Sequence, residues 1–129
     1  METTGQNAAE IPYISSEHEF AEVCQLPKAI IYIQVDWSEQ ERLSRQIFQD
    51  VLAVIDRNGV PVFKIDCSSQ QQEYFENWLI VQKQHVHLFY SGGYGEILLV
   101  QNGEVADFIN FPGKSGFEET KAKIQSWLL

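Results

Sequence analysis

Cys24 and Cys67 are the residues most able to do covalent chemistry here, since a thiolate is the strongest nucleophile among the side chains near neutral pH. They stand far apart, with no Cys-x-x-Cys. Cys67 precedes Ser68-Ser69, the expected opening of a helix, where a helix N-terminus can lower a thiol pKa and permit single-cysteine redox chemistry. The plainer reading makes Cys67 a small residue at a strand end, and Cys24 a core filler on the apolar side of a short helix. His85 and His87 would share one side of a strand, but a metal needs a third and usually a fourth ligand, and His18 is all that remains. No metal site is expected. Gly92, Gly93 and Gly95 do not make a phosphate loop, because no Lys-Ser/Thr follows and the next element is a strand. They read as a flexible turn presenting Tyr94. Ser38 and Ser44 have no neighbouring histidine in sequence, so hydrolase chemistry has no support. No catalytic residues and no cofactor are expected.

The elements that must position these residues are marked by repeated helix starts. A serine three residues before Glu or Gln can cap the first turn while the longer side chain reaches back. Ser16 with Glu19, Ser38 with Glu41, Ser69 with Gln72 and Ser115 with Glu118 fit this pattern. The expected apolar stripes are Phe20, Val23 and Cys24; then Leu43, Ile47, Val51, Val54 and Ile55, stopping at Asn58-Gly59; then Tyr74, Phe75, Trp78, Leu79 and Val81; and finally Phe117, Ile124, Trp127 and Leu128. Between them, residues 29–35 (AIIYIQV) and 60–66 (VPVFKID) read as buried parallel strands. Residues 96–101 and 105–110 flank Asn102-Gly103, a strong hairpin signal because both residues tolerate positive φ. Residues 11–14 suit a fifth, edge strand, the only place in a sheet for Pro12.

The 129 residues suit one domain, with residues 1–10 as a frayed or disordered tail and 11–129 as the folded body. Eighteen acidic against nine basic residues give a net charge of −9, which disfavours nucleic acid and anionic membrane as partners because both require clustered Lys and Arg. The N-terminal residues lack a signal-peptide pattern, and no apolar run approaches the roughly 18 residues of a membrane span. A cytoplasmic location with free thiols is the expectation.

The resulting order, β-α-β-α-β-α-β-β-α, is an α/β fold: a mixed central sheet of four or five strands with helices on both faces and a terminal antiparallel hairpin. It resembles the thioredoxin-like superfamily. The resemblance covers residues 10–129 and rests on IIYIQVDWSEQERLSRQIF, on the strand ending at Asp66, and on ILLVQNGEVADFINF with Asn102-Gly103-Glu104. Matching Trp37 to the family tryptophan puts Glu41 and Ser44 at the two redox-cysteine positions and Gly95 at the cis-proline position. The family's buried aspartate falls on Val35 or Asp36, and roughly a dozen extra residues lie between Asp66 and Gly95. With no sulfur in the motif, the resemblance implies a divergent member without dithiol chemistry, acting as a protein-binding adaptor or chaperone-like module. The implied peptide groove is lined by Trp37, Gln40, Glu41, Tyr94 and Gly95. Glu41 has a further, structural reading as the capping partner of Ser38. The alternatives are a single-cysteine redox protein using Cys67, another enzyme reusing the groove, or a homodimer through Phe89, Tyr90 and Tyr94.

Overall fold

Strand Ala29–Gln34 (β1) is buried along its whole length, as a run of Ala, Ile and Tyr covered on both faces should be. In this computed structural model, which describes residues 11–68, 72–82 and 93–129, β1 lies at the centre of the sheet. The chain runs Glu17–Cys24 (α1), β1, Glu39–Leu52 (α2), Val62–Asp66 (β2), Glu73–Ile80 (α3), Ile97–Gln101 (β3), Glu104–Ile109 (β4), Pro112–Ser115 (α4) and Phe117–Trp127 (α5). The strand order is β2-β1-β3-β4. β1 pairs in parallel with β2, Ile30 opposite Val62, and antiparallel with β3, Tyr32 opposite Ile97. The Asn102-Gly103 turn joins β3 to β4 with both residues at positive φ, as the hairpin reading requires.

Alternation along the strands sends successive side chains to opposite faces, and two core layers follow. Ile30, Tyr32, Ile97 and Leu99 pack with Phe48 and Val51 of α2 and Ile124 and Trp127 of α5. Ile31, Ile33, Ile65 and Leu98 pack with Phe20 and Val23 of α1 and Phe75 and Leu79 of α3. Phe20 meets Phe75 edge-on at 5.7 Å, a favourable ring geometry. The mixed sheet with helices on both faces agrees with the expected class.

Several local expectations need correction. Residues 11–14 form a single parallel bridge, Tyr13 to Lys64, beside β2 rather than a full strand. In α2 the buried face is Glu41, Ser44, Phe48, Val51 and Leu52. Leu43 is exposed instead, because two polar residues with specific partners take the inward positions, and Val54 is exposed beyond the end of the helix. The helix stops at Leu52, and Asn58-Gly59 forms a separate left-handed turn. Ser115 does not cap the last helix: it ends α4, and Gly116 at φ 90° breaks the chain before α5. Gln72 sits at the N-cap of α3 instead of inside its first turn, with no capping bond. Ser69, His85, His87, Phe89, Tyr90, Gly92 and the expected tail at 1–10 lie outside the described residues. Cys24 and Cys67 are free thiols. Among the described residues, no helix is long and apolar enough to cross a membrane, and no cluster of three potential ligands could hold a metal.

Candidate functional site

The carboxyl end of β1 turns into α2 through Val35-Asp36-Trp37, and Ser38 caps the helix by accepting the Glu41 amide at 3.2 Å. One half of the expected capping box is therefore present. The other half is not, because Glu41 does not reach back. It is fully buried and accepts the Tyr32 hydroxyl at 2.6 Å and the Arg45 guanidinium at 3.0 and 2.5 Å. Burial, then Glu41, pushes the Tyr32 hydroxyl pKa up, and the bonds to Glu41 push Arg45 up. A bidentate Arg–carboxylate pair with a phenol donor satisfies most lone pairs of a carboxylate that burial would otherwise penalise heavily.

Ser44, one turn on, is also fully buried. Its hydroxyl donates to the Tyr94 carbonyl at 2.5 Å and accepts the Gly113 amide at 2.9 Å. Ser38 in turn donates to the Gly93 carbonyl. Two serine hydroxyls thus fasten the Gly93–Gly95 turn to α2. Gly95 sits at φ +76°, and a Cβ there would come within 2.5 Å of Ser44 Cβ and 2.6 Å of the Tyr32 hydroxyl. Only glycine fits that conformation and that approach.

Of the five groove residues expected from sequence, the structure brings Trp37, Gln40 and Tyr94 to the surface and removes two. Trp37 is 66% exposed, its ring edge 2.9 Å from where a Gly93 side chain would begin. Gln40 is exposed and Tyr94 half-buried, its ring 4.7 Å from Phe111. Glu41 and Gly95 are buried and line nothing open. The expectation that Glu41 lines the groove is corrected, since its carboxylate is turned inward and paired with Arg45. Phe111 and the exposed Leu43 extend the apolar surface and were missed. Leu43 is recognisable only once the chain after β4 returns to it, where a side chain built at Gly113 would begin 3.0 Å from Leu43 Cβ.

Sequence reading also missed Glu96, just before β3. It is 1% exposed, and among the described residues its Oε2 has no hydrogen-bond partner. Burial first, then the Glu41 charge, raises its carboxyl to about 7, opposed by backbone amide donors including Tyr94. Val35 is buried and apolar while Asp36 is exposed, so neither is a buried acid; Glu41 and Glu96 are the buried carboxyls among the described residues. Burial, then Glu76, Asp66 and Glu96, pushes the Cys67 thiol up to about 12. This is the opposite of the lowering that helix-end activation would require.

No protein-family model matches this sequence, and no curated protein matches it. Solved structures do. A chain from a study of thiol resolution in yeast mitochondrial 1-Cys peroxiredoxin through the glutathione and thioredoxin systems superposes with a TM-score of 0.63 at 12% identity, over 94% of this chain and 99% of that one. The thioredoxin of Malassezia sympodialis gives 0.63 at 13%, over 93% and 92%. A putative oxidoreductase with a thioredoxin fold gives 0.63 at 11%, over 91% and 95%. The chain has the thioredoxin fold. Identities this low speak for the fold alone.

Proposed function

We propose that this domain is a non-catalytic binding module that holds a protein partner on the face formed by Trp37, Gln40, Tyr94, Phe111 and Leu43. One observation carries the reading. At the same helix end, the position matched to the first redox cysteine holds a buried, ion-paired carboxylate, while Trp37 beside it stays 66% exposed. A large ring left in solvent next to a second aromatic pair is a common interface anchor. Neither Glu41 nor Ser44 carries sulfur, so neither can act as an attacking thiolate or form a disulfide. The single-cysteine alternative is disfavoured by the Cys67 environment, since a thiol raised to about 12 is almost wholly protonated near neutrality and is a poor nucleophile. The partner is a different protein or a second copy of this chain, and the two free thiols support a cytoplasmic address.

The test is reduction of an insulin-type disulfide with dithiol supplied. The reading expects no turnover above the dithiol alone. Turnover that disappears in Cys67→Ser would transfer the function to that thiol.

A further inference from the structure

A second opening, sharing no residue with the Trp37 face, lies at the other edge of the sheet between α1 and residues 12–14. It encloses about 320 Å³, within the lower range of small binding clefts. Ile14, Val23, Leu26 and Phe63 form its apolar floor, and Glu19 and Glu22 stand at its rim. Residues 19, 22, 23 and 26 are spaced i, i+3, i+4 and i+7, so one stripe running off α1 supplies both carboxylates and two of the apolar contacts. Glu19 accepts the Ser15 amide at 2.7 Å, and Glu22 faces the His18 imidazole at 3.4 Å. Among the described residues, no Lys or Arg lines the slot. Lys64, paired in register with Tyr13, holds its ammonium 4.5 Å above the Tyr13 ring, and strand alternation puts it on the opposite face from Phe63.

We propose that this slot binds a basic–apolar peptide segment of a partner protein, with one Lys or Arg between apolar side chains. The floor takes up the apolar flanks, and the two rim carboxylates meet the Lys or Arg of the segment. The net charge of −9 steers such a segment toward the surface and repels an acidic one. The apolar floor distinguishes the slot from an acidic patch, because a cation whose stem packs on apolar groups is held by more than screened charge.

The probe is the peptide acetyl-Ala-Leu-Lys-Leu-Ala-amide, titrated into the full chain at low salt and followed by methyl and amide NMR. The Ile14, Val23 and Leu26 methyls should shift saturably. The same peptide with Glu in place of Lys should bind about 10-fold or more weakly, and the Glu19→Gln/Glu22→Gln variant should lose most of that preference. Glu19→Gln keeps an acceptor for Ser15, so this variant retains the cap. Equal shifts with the two peptides, an unchanged preference in the double variant, or no methyl shift at all would overturn the proposal. Shifts confined to the Trp37 indole would also overturn it while leaving the proposed Trp37 face intact.

Discussion

Replacing Glu96 by Gln should make the protein more stable at pH 8 and leave it nearly unchanged at pH 5. The Glu96 carboxyl is 1% exposed, with Oε2 unpartnered among the described residues and the Glu41 carboxylate nearby. These surroundings raise it from 4.5 to about 7. An acid whose folded pKa exceeds its unfolded one favours the proton-bearing native state. Its contribution is complete below 4.5 and is lost as pH rises through about 7. At about 1.4 kcal/mol per pH unit, the interval corresponds to roughly 3 kcal/mol of stability lost by pH 8. The amide of Gln cannot ionise, so the variant should recover a large part of that sum, less the weaker bonds from the backbone donors. Urea unfolding of both proteins at pH 5 and pH 8 measures it, and subtracting one protein's pH difference from the other's removes the histidines. Identical pH dependence in the two proteins, or equal destabilisation of the variant at both pH values, would refute the reasoning.

Other substitutions test the same site. Glu41→Ala should cost about 2–4 kcal/mol in urea unfolding, somewhat under the range for a fully buried pair because Arg45 is 31% exposed; a loss near zero would contradict the role given to the Tyr32–Glu41–Arg45 cluster. Gly95→Ala should cost about 1–3 kcal/mol or more, since its methyl would clash with Ser44 and Tyr32 at a positive φ, and an unchanged melting curve would count against that packing. Native protein at pH 7 should react slowly with a thiol reagent at both cysteines, because burial raises both thiols, and a rapid single equivalent would contradict this.

The fold was legible because local and tertiary preferences agree along most of the chain. The apolar run at 29–35, the Asn102-Gly103 hairpin and the Ser16 and Ser38 caps each read as they fold. Misreadings cluster where a polar residue takes a core position. Leu43 was assigned inward and lies outward, because Ser44 and Glu41 have buried partners on a strand and a turn that sequence spacing does not place. Arg45 at i+4 from Glu41 was the available clue to the ion pair. Tyr32 belongs to a run that reads only as core, and nothing marked its hydroxyl as a donor. Glu96 reads as an ordinary polar strand opening, since nothing in the sequence spacing brings the Glu41 carboxylate to it. On the proposed face, Trp37, Gln40 and Tyr94 can be named from sequence, whereas Phe111 meets the Tyr94 ring only through the return of the chain after β4.

The most direct test of the account compares capture of a partner from a cell extract by wild type, Cys67→Ser and Trp37→Ala in excess reductant. Trp37→Ala should keep its stability within about 0.5 kcal/mol, as an exposed surface substitution does, so lost capture would not reflect unfolding. The account predicts the same partner on wild type and Cys67→Ser, undisturbed by reductant, and its loss from Trp37→Ala. Capture that requires Cys67 and is released by reductant, with Trp37→Ala behaving as wild type, would contradict it.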